Sequence, residues 1–88
     1  MEKELNFETD QAGWEYRNYP QEELQARYDS RASFYGKAYV IEYDKDTLLL
    51  QSYNTIVAHI HKGKYVSYGK YSQTTSRHQK EFEKQFSY

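Results

Sequence analysis

Three histidines are the first side chains to weigh for metal or acid–base chemistry. His59 and His61 are two apart. On a strand such a pair points to one side, about 7 Å apart, and a third ligand would complete a zinc site. His78 falls on a predicted helix against the other face of the sheet, so it cannot complete the set and no metal is expected. The run Tyr71-Ser72-Gln73-Thr74-Thr75-Ser76-Arg77-His78 is dense in hydroxyls. A serine within reach of a histidine is the start of a nucleophile–base pair. No oxyanion-hole motif or orienting acid stands at a recognisable spacing, and helix capping accounts for the hydroxyls with less effort. A phosphate-binding glycine loop is also missing. No catalytic set, metal or cofactor is expected, and the chain reads as non-enzymatic.

Binding chemistry is better represented. Tyr35, Lys37, Tyr39, Ile41 and Tyr43 alternate, so a strand would show them on one face. Rings interleaved with lysine can stack bases while the cation meets phosphate. The run from Gly36 to Tyr43 approaches the sheet signature of RNA-recognition motifs, but its last aromatic is one residue late and the element order differs. Burial beneath other elements, or contact with a protein partner, would use the same rings. Charge is divided along the chain. Residues 1–44 carry ten acids against five bases, and residues 45–88 three acids against seven bases. Lys62, Lys64, Lys70, Arg77 and Lys80 lie in a stretch without acids and form the candidate nucleic-acid patch. Glu8, Asp10, Trp14, Glu15 and Tyr16, with Glu22 and Glu23 on an adjoining helix, form the candidate contact surface for a basic protein. Carboxylates beside an aromatic anchor supply both charge and burial.

The elements that position these groups follow from length and pattern. The chain has 88 residues, 10.6 kDa and no cysteine, which fits one small domain without a disulfide scaffold. Leu, Ile, Val and Phe number only fifteen, while Tyr alone numbers 11, so ring area must replace aliphatic burial. Residues 1–19 are an acidic, aromatic segment without clear period, and the sheet is expected to fold without residues 1–16. Pro20 suits a first helical position, and Leu24, Tyr28 and Ala32 give a weak apolar stripe, so a helix is expected over 20–33. Residues 34–71 turn to period two and form a β-meander, with turns at Asp44-Lys45-Asp46, Tyr53-Asn54 and Lys62-Gly63-Lys64. A second helix spans 72–87, capped by Ser72, Thr74 or Thr75. Thr75, His78, Phe82 and Phe86 face the sheet, and Arg77, Lys80, Glu81 and Lys84 face away. Leu48, Leu50, Ile56, Ile60, Val66, Phe82 and Phe86 are the expected core. The fold class is α+β: an antiparallel meander of about four strands, with an N-terminal and a C-terminal helix packed on it. No apolar run approaches a membrane span, and the first residues are polar, so a cytoplasmic protein is expected. A homodimer is left open.

Three segments carry a family resemblance: Ser30-Arg-Ala-Ser-Phe-Tyr-Gly-Lys-Ala38, Leu50-Gln-Ser-Tyr-Asn-Thr-Ile-Val-Ala58, and Tyr71-Ser-Gln-Thr-Thr-Ser-Arg-His78 with Phe82. Together they resemble a family of small, mostly uncharacterised proteins carried by phages, plasmids and genomes of Gram-positive bacteria, over about residues 28–86. The resemblance implies an antiparallel sheet with a C-terminal helix and a mobile-element origin, and it brings no catalytic residues. The expected function is a protein-binding inhibitor of a host protein, a defence nuclease such as a CRISPR effector, with the acidic N-terminal segment imitating nucleic acid. A net charge of −1 makes the whole chain a weak mimic of DNA. The alternative is a small nucleic-acid-binding accessory protein using the basic patch and surface tyrosines. A structural phage protein without a host target is the third reading.

Overall fold

In the computed structural model the described residues are 11–12, 18–28, 34 and 36–88. Among these residues six strands fill five positions of one antiparallel sheet, and a helix lies across it. In chain order they are β1 (Gln11–Ala12), β2 (Gln21–Glu23), β3 (Ala38–Asp44), β4 (Thr47–Ser52), β5 (Thr55–His61), β6 (Lys64–Ser67) and α1 (Gln73–Phe86). Across the sheet the order is β1, β5, β4, β3, β2, with β6 sharing the outer edge of β5 with β1.

The meander from β3 to β6 follows the alternation and the turns read from the sequence. Lys62 and Gly63 both take positive φ, 51° and 82°, as the tight primed hairpin turns require. Tyr53, at φ 57°, opens the two-residue link between β4 and β5. Ser72 caps α1, its hydroxyl accepting from the Thr75 N–H at 3.2 Å.

The N-terminal helix is a correction. Residues 21–23 form an edge strand instead, and among the described residues 18–28 there is no helix. Pro20 lacks an N–H, which suits the start of an edge strand as well as the start of a helix. Its carbonyl accepts from Glu42 N at 2.8 Å, and Leu24 N donates to Ala38 O at 2.8 Å. This pairing along β3 carries Leu24 into the core, which a weak stripe at spacing four does not outweigh. The part of the predicted helix at 29–33 lies outside the described residues.

β5 carries a second correction. Leu50 pairs with Ala58, but Gln51 pairs with Ile56, so Val57 is an extra residue in β5. Such a bulge moves the strand ahead of it to the opposite face. Ile56 therefore leaves the helix side and packs with Ile41 and Leu49 on the other side, against Tyr43 and Tyr68. The helix-side core is built from Leu24, Phe34, Ala38, Val40, Leu50, Val57, Ala58, Ile60 and Phe82, with Leu48, Tyr65 and Phe86 at its margin. Val66 is not in it. Ile60 pairs with Tyr65, so Tyr65 takes the inward place against Phe82, and Val66 faces out beside His59. Ring area thus replaces an aliphatic at this position.

On α1, Glu81 is buried rather than solvent-facing. Its Oε1 accepts from the Tyr28 N–H at 2.8 Å and its Oε2 from Gln85 Nε2 at 2.7 Å. Gln79 is buried too. Its amide donates to the Val57 carbonyl at 3.1 Å and to Ser67 Oγ at 3.2 Å, tying the helix to the bulge and to the end of β6. β1 adds two residues of the N-terminal segment to the sheet, beside the first residues of β5.

Candidate functional site

Exposed charge and apolar surface meet where β2 runs beside the C-terminal end of α1. Two adjoining cavities, of about 330 and 310 Å³, share Glu22, Val40 and Phe86 in their walls. The helix packs over β4 and β5, so β2 and the neighbouring part of β3 form an open shelf along its flank. Period two decides what the shelf shows. Glu22 pairs with Val40, and Glu42 pairs with Leu48, so both carboxylates stand on the helix side, over an apolar floor of Val40, Leu48 and Phe86. They are diagonal neighbours on adjacent strands, about 7 Å apart by sheet geometry. Both are exposed and carry like charge. The carbonyl end of α1 at Phe86 adds to the negative potential, and Arg27 is the cation in the wall of the wider cavity.

Glu23 points the other way. It pairs with Tyr39, and its carboxylate accepts from the Gly36 N–H at 3.0 Å, closing the turn in which Lys37 N bonds Phe34 O. Both acids assigned to a helix line the wider cavity, but only Glu22 also lines the narrower one beside Glu42, and it does so from a strand. Glu8, Asp10, Trp14, Glu15 and Tyr16 lie outside the described residues. Glu42 did not figure among the candidates, although the alternation Ala38, Val40, Glu42 places it on the inward face.

The five basic candidates do not converge. Lys62 and Lys64 flank the β5–β6 turn beside the end of α1, where Tyr88 N donates to Gly63 O. Lys70 precedes the other end of the helix. Arg77 and Lys80 lie on α1, around a shallow depression with Tyr28, Glu81 and Lys84. The tyrosine strand is not an open stacking platform either. Ile41 at its centre is fully buried, Tyr43 packs on it, and Tyr19 stacks on Tyr43 at 5.5 Å. Lys37 sits over the Tyr53 ring at 5.7 Å, and Tyr35 lies outside the described residues.

His59 and His61 share the face away from the helix, as their spacing predicts. His59 Nδ1 meets the Tyr68 hydroxyl at 2.7 Å, and His61 Nδ1 meets Thr47 Oγ1 at 2.8 Å. Burial, with the neighbouring His61, pushes the His59 pKa below its usual value. Among the described residues no three His, Cys, Asp or Glu side chains gather as a metal would need. The slight burial of Asp44 raises its carboxyl, but N–H bonds from Asp46 and Thr47, the Thr47 hydroxyl and His61 outweigh it and lower the pKa. A serine–histidine contact does exist. Its serine is Ser52, on β4, and the hydroxyl meets His78 Nδ1 at 2.8 Å and Thr75 Oγ1 at 2.9 Å. All three side chains are buried, and Phe34 lies edge-on to His78 at 4.7 Å. The cluster joins the three sequence segments singled out above into one structural knot.

This architecture defines a small α+β protein with one antiparallel sheet and a C-terminal helix. No helix among the described residues is long and apolar enough to cross a membrane. The chain belongs to a family of unknown function, DUF8033, whose match covers residues 22–88 and so includes Glu22, Glu42 and the groove floor, while Pro20 and Gln21 in its wall precede the match. No curated protein and no solved structure matches it.

Proposed function

We propose that the protein is a non-enzymatic binding module that docks a basic protein surface through the groove between β2 and α1. The observation that carries this reading is the pair Glu22 and Glu42, exposed on one face over the apolar floor of Val40, Leu48 and Phe86. Two neighbouring carboxylates repel each other, and a cation from a partner relieves that repulsion while apolar contact supplies burial. A surface that binds phosphate is lined by Lys and Arg, so a nucleic-acid-binding host protein is the matching class. With the mobile-element origin that the resemblance implies, the target is a host defence nuclease, a CRISPR effector among them, met in the host cytoplasm. The acids and rings at Glu8, Asp10, Trp14, Glu15 and Tyr16 extend the contact on this reading.

Affinity capture from the bacterial host with the full chain is the test, with a Glu22→Lys/Glu42→Lys variant as the control. Recovery of one nucleic-acid-binding protein, lost with the variant and competed by duplex DNA, is the expected result. A full chain that instead binds duplex DNA or RNA directly, with steep weakening by salt, would hand the function to the basic residues.

A further inference from the structure

The outer edge of β2 has a specific hydrogen-bonding state. Pro20 and Leu24 bond to Glu42 and Ala38 of β3, and Glu22 lies opposite Val40 between them. In an antiparallel ladder bonded residues alternate, so Gln21 and Glu23 direct their N–H and C=O groups away from β3. Among the described residues β2 ends the sheet on this side. One outward carbonyl, that of Glu23, receives only a long contact of 3.5 Å from the exposed Gln25 amide. A strand edge with free donors and acceptors therefore lies beside an acidic, apolar-floored groove.

We infer that the partner contributes an extended segment which adds to the sheet as a strand along β2, with Lys or Arg at alternate positions. This rests on the proposed binding role of the groove and specifies how it is used. Backbone bonds to Gln21 and Glu23 supply the pairing, and alternate side chains of the segment fall on the helix side in the row of Glu22. A long basic side chain from that row lays its apolar stem across Val40 and Phe86 and brings its charge to Glu22 and Glu42. The charge also excludes a second copy of this chain as the occupant. Two antiparallel β2 edges would set Glu22 against Glu22 in the centred register, or Glu23 against Glu23 one pair along, and like charges directly opposite destabilise a sheet. Acidic residues on a short edge also guard against unwanted pairing, so the site admits a basic strand and rejects others.

A labelled, end-capped peptide of alternating arginine and valine tests this by fluorescence anisotropy with the full chain. Binding is expected, with the affinity falling about tenfold when alternate peptide amides are N-methylated on the pairing edge, since at least two backbone bonds are lost. Gln21→Pro removes one outward N–H and spares every bond to β3, so it should weaken the peptide several-fold with an unchanged melting curve. N-methylation supplies the same test should that variant not fold. Equal affinity for methylated and unmethylated peptide, with sensitivity to Glu22→Lys/Glu42→Lys kept, would overturn strand addition and leave the acidic groove standing. No binding of either peptide would also overturn it, and the host-capture experiment then judges the groove separately.

Discussion

The Ser52 hydroxyl lies 2.8 Å from His78 Nδ1, across 26 positions of sequence, and both side chains are closed to solvent. With Thr75 they form a polar knot between the last residue of β4 and the first half of α1. A half-satisfied buried cluster costs more than an apolar one, so the knot constrains where the helix sits.

Ser52→Ala should destabilise the protein by about 1–3 kcal/mol, because it removes one hydrogen bond from each of two buried groups. Urea unfolding followed by circular dichroism measures this. A neutral result would mean that Thr75 and His78 pair with each other without the serine.

Phe82 is fully buried between the sheet and Phe86. Phe82→Ala should cost about 3–5 kcal/mol, a large share of the stability of so small a domain. Val66→Ala, at an outward-facing position, should stay within about 0.5 kcal/mol. Thermal melts of the two variants distinguish this core from the one that places Val66 inside.

Stability should fall on acidification through the histidine range. Folding lowers the His59 pKa, so the unfolded chain takes up the proton first. The folded state is therefore favoured above the unfolded value of about 6.5, and that advantage is lost as pH drops toward the folded value. Melting temperature should decline between about pH 7.5 and 5, and His59→Gln should flatten the decline. Asp44 acts in a lower window. Its depressed pKa stabilises the fold above about 3.8 and is lost below it.

Excess zinc chloride should leave the melting temperature unchanged, since His59 and His61 each engage a neighbouring hydroxyl and no third ligand joins them among the described residues. A rise with zinc, abolished by His61→Ala, would point to a site after all.

Particular residues explain what was legible. The meander could be read because Ala38, Val40, Glu42 and Leu48, Leu50 alternate, and because Lys62-Gly63 is strong turn chemistry. α1 could be read because a capping serine precedes Thr75, His78, Phe82 and Phe86 at helical spacing. β2 could not. Three residues carry no period of their own, and only the long-range pairing with β3 makes them a strand. The groove inherits that difficulty, since Glu22 and Glu42 are twenty residues apart and meet only once β2 is in the sheet. The bulge was hidden for another reason. Ile56-Val57-Ala58 is an unbroken apolar run, and such a run does not say which residue is supernumerary.

Val57 has one consequence for chain length. It is opposite no residue of β4, β1 or β6. Deleting it would leave every cross-strand partner of β5 in place, at the expense of one buried side chain and of the carbonyl that receives Tyr68 N and Gln79. Deleting a residue farther from the bulge, such as His59, would instead turn the residues between it and Val57 to the opposite face. A one-residue deletion within this strand is thus absorbed best at the bulge. When other members of the family are aligned, a gap inside β5 belongs at Val57, with Ser52 to Ile56 and Ala58 to His61 kept as two blocks of fixed length.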